Sequence, residues 1–227
     1  MNIKDVVYKT LISGSSYKTL LRGLGVTVQI AFFSVLLGSL LGVVICAMRR
    51  SRICPVRKAA SLYMAILRGS PVLLLLMLMY YVVFASSSIS PTFVAVVAFS
   101  LHMSAYSAAC FYSAIEATDK MQVEAARTLG FSKSQAFFLV TLPQAAAIAK
   151  GTYQSTIVTL IQWTSVVGYV TITDLTRVIN NISSRTIEPL FMIVIGLLLY
   201  LGLSYLCYGI FALVDSLSSL KKRRMGE

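Results

Sequence analysis

Few residues in this sequence have the type and spacing that bond-making chemistry requires. His102 is the only histidine. A catalytic base needs a nucleophile facing it, and no strongly signalled serine motif stands nearby. Its expected role is therefore that of a neutral, hydrogen-bonded side chain. Cys46, Cys54, Cys110 and Cys207 form no CxxC pair and have no nearby His or carboxylate cluster, which is the wrong spacing for a metal site or a disulfide framework. Glu116 and Asp119 have no third ligand near them and read as a helix-end pair and cap. Gly23 and Gly25 precede an apolar run and lack the lysine of a GxxxxGK[S/T] phosphate loop. The stretch that stands out is polar and lies between two apolar runs: Glu124-Ala125-Ala126-Arg127-Thr128-Leu129-Gly130, then Leu142-Pro143-Gln144-Ala145. Such residues make contacts rather than bonds.

The elements that must hold this stretch follow from composition. The 227 residues are 57% hydrophobic and 12% charged, with a mean hydropathy of +0.81, where an ordinary soluble domain carries roughly 25% charge. A soluble domain of this size could not hide that much apolar surface, so the chain is expected to be an integral membrane protein. Four runs, Leu24–Met48, Pro91–Ile115, Ala145–Val170 and Pro189–Leu213, reach the ~20 residues that a helix needs to cross a bilayer. A fifth, Ala59–Ala85, is interrupted by Arg68-Gly69-Ser70-Pro71. Pro71 is expected to kink it and Ser70 to cap the restarted helix. Gly38 and Gly42 form a GxxxG on the first span, a possible helix-packing face. Met1–Arg22 is polar and mixed and lacks the short apolar core of a cleaved leader.

A net charge of +12 would suggest nucleic acid on a soluble fold, but here the basic residues sit in short clusters between apolar runs. Of the 20, 14 fall on one side: Arg49 to Arg68 after the first span, Lys120 to Lys150 around the third connection, and Lys221 to Arg224 at the end. The positive-inside rule then places the C-terminus in the cytoplasm and, with five spans, the N-terminus outside. The expected divisions are an extracytoplasmic segment 1–22, a transmembrane domain 23–215 and a basic cytoplasmic tail 216–227.

The connection over 118–143 is too long for a simple turn and reads as two short helices. Asp119 with Gln122 fits a variant capping box, and Met121–Leu129 runs to Gly130 as a stop. Ser132 with Gln135 forms a second box, and Gln135–Leu142 is expected to run until Pro143. Glu124 lies near the middle of the first helix, where it can pair with a basic residue of a soluble partner. Ala125 and Ala126 keep the contact face thin, and Gly130 permits the reversal.

Glu-Ala-Ala followed by a glycine and a spaced Leu-Pro resembles the EAA signature of ABC importer permeases. The likeness extends along the chain to the polar amino acid uptake family: Leu24-Gly25-Val26-Thr27-Val28-Gln29, Leu67-Arg68-Gly69-Ser70-Pro71, Tyr80-Tyr81-Val82-Val83-Phe84, Thr164-Ser165-Val166-Val167-Gly168-Tyr169 with Asp174-Leu175-Thr176, and Ser184-Arg185-Thr186. The resemblance implies an all-α integral membrane protein of five transmembrane helices, the type I ABC importer permease fold, with a cytoplasmic coupling helix between spans three and four. It further implies a bacterial cytoplasmic membrane location and a polar amino acid as solute. The chain itself then carries no cofactor. A partner ATPase dimer binds ATP and Mg and contacts Glu124, Ala125, Ala126, Gly130, Leu142 and Pro143. The other expected partners are a second permease subunit, an extracytoplasmic amino-acid-binding protein and membrane lipid, with no nucleic acid.

The sequence departs from the family pattern where substrate is concerned. Where span three commonly carries N-x-A-A-Y-x-x-E-x-x-R, this chain has His102, Ser104, Ala105, Tyr106, Ala109 and Tyr112. A K-D/M-T-S element appears as Gln162-Trp163-Thr164-Ser165. Four positions open to ionic residues are neutral or aromatic. This favours a heterodimer whose other half holds the ionic contacts over a homodimer using His102, Tyr106, Tyr112, Gln162, Trp163, Thr164 and Ser165 for a larger or less charged amino acid; helix packing is the alternative role for these side chains. A self-sufficient secondary transporter or channel would call for intramembrane carboxylates or inverted repeats, which the spans do not offer.

Overall fold

The computed structural model describes residues 3–12 and 15–224, with the side chains of 3–4 and 218–224 outside the description. The basic side chains Lys221–Arg224 and residues 225–227 of the expected tail thus lie outside the described side chains and residues. All regular structure among the described residues is helical. The elements are α1 (Ile3–Val7) with a π-turn, α2 (Ser16–Arg49), α3 (Cys54–Gly69), α4 (Val72–Leu78) running into a π-turn (Met79–Val83), α5 (Pro91–Glu116), α6 (Lys120–Thr128), α7 (Lys133–Ala136), a π-turn (Phe137–Thr141), α8 (Leu142–Trp163), a 3₁₀ stretch (Thr164–Val170), α9 (Leu175–Thr186) and α10 (Pro189–Arg224). The helices α2, α5 and Pro189–Leu217 of α10 are each long and apolar enough to cross a membrane, and two bent pairs could bring the number of spans to five.

The chain forms two compact units. One comprises Phe33–Ser86 and Phe93–Ile157, and the other Met1–Phe32, Ser87–Thr92 and Val158–Glu227. In the first, α2 lays the small residues Ser34, Gly38, Gly42 and Cys46, one every fourth position and so on one face, against α5. The Ser34 hydroxyl donates to Val96 O at 3.4 Å. A Cβ at Gly38 would stand 2.6 Å from Met103 Cβ, and one at Gly42 2.6 Å from Ser107 Cβ. Cys46 packs with Ala108 and Met64. Contacts ascend together along both helices, so α2 and α5 run parallel, and the chain between them must return from the far end of α2.

That return is made by α3 and α4, which meet at 104° across Ser70-Pro71. The break is sharper than the expected kink. Ser70 does not cap the restarted helix: its hydroxyl donates to Leu67 O at 3.2 Å, closing α3, and α4 begins at Pro71 without a side-chain cap. The reason is positional. Pro71, with its extended ψ of 131°, takes the N-cap place itself, which leaves Ser70 one residue too early. Between α5 and α8, paired contacts run in opposite directions, with Ala114 and Cys110 packed on Ala145 and Ala149 and Phe111 against Tyr153. These two helices are antiparallel.

In the second unit α9 is amphipathic, with Leu175, Val178, Ile179 and Ile182 buried against Leu20 of α2 and Met192 of α10. Its start is fixed by Asp174, fully buried, whose two carboxylate oxygens accept from the amides of Thr176 and Arg177 at 3.0 Å each. The Thr27 hydroxyl accepts the Leu175 amide at 3.2 Å. The helix ends at Ile187, a left-handed residue (φ 57°), after which α10 packs back antiparallel, with Thr176 and Tyr200 hydroxyls 2.8 Å apart. Lys9 pairs with Glu188 at 3.3 Å, the only ion pair among the described residues.

The α2–α5 contact leaves no room for side chains. Gly38→Val and Gly42→Val should each cost about 1–3 kcal/mol by overpacking and lower the thermal midpoint of the detergent-purified chain. Gly209→Val, where nothing lies within 4 Å of an added Cβ, should leave the midpoint in place. Equal midpoints for all three would refute the packing described.

Candidate functional site

Helix α6 has nine residues, fewer than the ~12–15 that an isolated helix needs to hold together in water. Its ends and one flank supply what length does not. At the N-terminus the Asp119 carboxylate accepts from the Met121 amide at 2.9 Å. The expected partner Gln122 does not close a box. Gln144, from the start of α8, takes that place: its Oε1 accepts the Asp119 amide at 3.3 Å, and its Nε2 donates to Gln122 Oε1 at 2.8 Å. A side chain from across the fold can reach the capping amide here, and the Gln122 carbonyl is used in holding it.

The C-terminus closes with amides of Leu129 and Phe131 donating to Ala125 O and Ala126 O at 3.1 and 3.2 Å. Gly130, at φ +91°, supplies the left-handed conformation that side chains resist. The Arg127 guanidinium donates to Phe131 O at 2.6 Å across the turn. Ser132 and Gln135 then form the expected capping box, with both bonds present. The following helix does not stop at Pro143. It passes through the π-turn Phe137–Thr141 into α8 without a break. A proline clashes with the carbonyl four residues before it, and the widened π-turn is a common place for such a helix to absorb the disturbance.

Of the residues expected to contact a partner, Glu124, Ala125, Gly130, Leu142 and Pro143 are exposed, while Ala126 is buried and seats α6 on its own fold. Ala126 thus faces away from any contact surface. Sequence reasoning missed Met121 and Leu129, exposed by 77% and 79%. Met121, Ala125 and Leu129 follow at fourth positions and make an apolar stripe in the open, with Glu124 beside it. The apolar spacing was visible in the sequence. Which side it faced was not.

The residues expected along a substrate pathway divide between the units. In the first unit, α5 carries His102, buried, with its ring 5.3 Å from that of Tyr106. Arg68 from α3 lies over Tyr106 at 5.4 Å, and Arg49 from α2 over Tyr112 at 4.6 Å. Sequence comparison along α5 alone could not find these two cations, because they arrive from other helices. Tyr63 and Ser104 hydroxyls stand 2.7 Å apart nearby on α3 and α5. A separate cavity of about 800 Å³ in this unit is lined almost wholly by apolar groups such as Val43, Phe111, Phe138 and Ala146, with Arg50 and Lys150 as its only charged residues. It lacks the converging polar groups that a polar solute needs.

In the second unit, Gln162 is exposed, Trp163 and Ser165 are half-buried, and Thr164 is fully buried with its hydroxyl bonded to Ile161 O at 2.6 Å. Asp174 is a buried carboxylate whose oxygens are occupied by helix amides. No group of three or more His, Cys, Asp or Glu that could hold a metal occurs among the described residues.

Comparison with known proteins bears on these features. The family model for "Binding-protein-dependent transport system inner membrane component" matches residues 34–218. The chain is 29% identical over 197 residues to the probable amino-acid ABC transporter permease protein YckA of Bacillus subtilis (strain 168), covering 86% of this chain and 87% of that one. It is 27% identical over 215 residues to the histidine/lysine/arginine/ornithine transport system permease protein HisM of Salmonella typhimurium, covering 90% and 91%. Among solved structures, a chain from the crystal structure of an amino acid ABC transporter with histidines superposes with a TM-score of 0.83 at 27% identity, over 91% of this chain and 97% of that one.

The capping geometry makes α6 depend on Gln144. Gln144→Leu should remove about 1 kcal/mol of local hydrogen bonding. Amide exchange in residues 120–129 should accelerate several-fold while the melting of the whole chain stays unchanged. Unaltered exchange there would show that α6 is held by something else.

Proposed function

The chain belongs to the binding-protein-dependent transport system inner membrane components, and on that premise we propose that it is the permease subunit of an ATP-driven importer for a polar amino acid. The observation that carries this reading is α6, a short helix fixed at both ends that keeps Met121, Ala125 and Leu129 in the open with Glu124 alongside. An apolar stripe left uncovered by its own fold is a surface for another protein. In this reading a soluble ATPase dimer, which binds ATP and Mg, covers it. The exposed Gly130, Leu142 and Pro143 join that contact in this reading, and because Gln144 fastens α6 to α8, movement of the ATPase passes to a spanning helix as a rigid-body displacement.

Each bent pair counts as one span here, which gives five. Support comes from the parallel run of α2 and α5, between which the chain has to return, and from the antiparallel α5 and α8. The basic residues following α2 and around α6 then face the cytoplasm and the N-terminus lies outside. An external binding protein delivers the amino acid to a pathway shared with a second permease subunit, a related but different chain. The amino acid class rests on the names of the relatives. It is supported by His102, Tyr106 and the Arg68 guanidinium, a polar aromatic group with a cation that suits a carboxylate. In span four, Gln162, Trp163 and Ser165 are the residues with exposure enough to meet a solute; Thr164 supports them from within.

Two measurements test this. In proteoliposomes holding the complete assembly and its binding protein, Glu124→Arg and Gly130→Leu should each reduce uptake per ATP hydrolysed by tenfold or more, on the order of 1.4 kcal/mol of lost coupling, without loss of the subunit from the membrane. Coupled uptake unchanged in both variants would refute the role of α6. Intact mass of the complex purified through this chain should give two ATPase copies, one copy of this chain and one related permease. Two copies of this chain would overturn the heterodimer, and absence of any ATPase would overturn the importer.

A further inference from the structure

At the end of α2, where its apolar run gives way to Arg49, a cavity of about 350 Å³ is lined by Arg49, Arg57, Lys58, Ser61 and Tyr112. Three of its five lining residues are cations and none is an acid. The only ion pair among the described residues is elsewhere, between Lys9 and Glu188. Arg57 closes the first turn of α3 and Lys58 follows it; the helix is 16 residues long and has no acidic residue in its first turn and no side-chain cap at Ile53. Cations at a helix N-terminus oppose the macrodipole and are ordinarily unfavourable. Like charges gathered there raise the local potential instead of balancing it.

Arg49 is held by a hydroxyl and an aromatic ring. Its Nη1 donates to the Ser61 hydroxyl at 2.6 Å, and that hydroxyl donates to Arg57 O at 2.9 Å. Its guanidinium carbon stands 4.6 Å from the centre of the Tyr112 ring. Its Nε is buried without a hydrogen-bond partner. A guanidinium carries five N–H donors; with Nη1 tied to Ser61 and two more cations lining the same cavity, the remaining terminal N–H groups can receive a phosphate oxygen. The position of the cavity selects the source of that phosphate. It sits where the apolar run of α2 ends in cations, and Arg50, the residue that follows α2 and whose amide still bonds to Cys46 O, lines the apolar cavity of about 800 Å³. Successive helical residues project about 100° apart, so a cationic face and an apolar groove flank the same helix end. A phospholipid is the phosphate that arrives with acyl chains attached.

We infer that the Arg49–Arg57–Lys58 cavity holds the phosphate of an anionic phospholipid headgroup. The site ties the α2–α3 corner to the leaflet that meets it, and only the identity of that leaflet rests on the importer reading. The test uses the purified full-length assembly in nanodiscs of phosphatidylcholine doped with phosphatidylglycerol. Lipid retained through delipidating washes is counted by native mass spectrometry, with and without added inorganic phosphate. The wild type should retain phosphatidylglycerol over phosphatidylcholine. Each cation removed should cost about fivefold in that preference, so Arg57→Gln with Lys58→Gln should abolish most of it. Arg52→Gln, exposed and outside the cavity, should leave it intact. Arg57 and Lys58 carry the test because both are exposed and their loss relieves repulsion, whereas Arg49→Gln also breaks the Ser61 bond. No headgroup preference in the wild type, or undiminished preference in the double variant, would overturn the inference. Displacement of phosphatidylglycerol by inorganic phosphate alone would assign the site to a free anion and overturn it equally. Retention is read without nucleotide, solute or uptake, so it stands or fails apart from the importer reading.

Discussion

In hydrocarbon, one apolar side chain gains nothing by leaving lipid for another, so helices associate through close packing and hydrogen bonds. The contact of α2 with α5 is built on that constraint. Gly38 and Gly42 bring the α2 backbone to the Ser100 and Ser104 carbonyls, within 3.3 Å of where a Cβ would stand. α5 answers with Ser104, Ala105, Ser107 and Ala108, all buried. As a result 72% of the apolar window of α5 is enclosed, against 33% for α2 and 17% for α10. The enclosed helix then does two things with one rigid body. It presents His102, Tyr106 and Tyr112 at fixed positions, and its far end launches α6 through Asp119.

The knob depends on the opposite physics. In water an exposed apolar stripe on a nine-residue helix ought to drive that helix to unfold or turn over. Here Ala126, the buried alanine, is small enough to seat α6 closely, and Gln144 fastens the first turn to α8. Both helix ends carry capping hydrogen bonds. Holding the stripe rigid in advance lowers the ordering cost at the moment a partner binds. Gly130 matters for the same reason, since its left-handed φ reverses the chain within the length that this fastening allows.

Much of this was legible in the sequence, because some signals are local. Apolar length alone marked α2, α5 and α10. The Ser132–Gln135 box and Gly130 needed only neighbours in the chain. The GxxxG of Gly38 and Gly42 named a packing face without naming α5 as the helix against it. Other features were set by tertiary contact. Pro71 announces a missing donor, but the 104° between α3 and α4 depends on what each half packs against. Pro143 obeys the rule against proline in helices and yet sits inside one, because the π-turn before it lengthens the ladder. In α9, Leu175, Val178, Ile179 and Ile182 repeat with helical period, but the segment is short and mixed enough to read as a connection until Asp174 is seen capping it.

The charges taught the most about reading one helix at a time. Along α5, replacement of an acid by Ala109 and a base by Tyr112 suggests a site emptied of ionic groups. In space, α2 and α3 bring Arg49 onto Tyr112 and Arg68 onto Tyr106, so the aromatic rings that replaced or neighboured the missing charges have become the platforms on which cations from other helices rest. A guanidinium on an aromatic face retains its donors while its flat side is satisfied by the ring. Positive charge is therefore present beside α5 although α5 itself carries none at these positions. The two guanidiniums differ in what surrounds them. Arg49 is joined by Arg57 and Lys58 at the end of the apolar run. Arg68 lies with Tyr106, whose ring neighbours the buried His102. In the readings proposed above, one device, an arginine set over a tyrosine, would serve two anions, and the difference would be made by whether the neighbours are the cations Arg57 and Lys58 or the buried imidazole of His102.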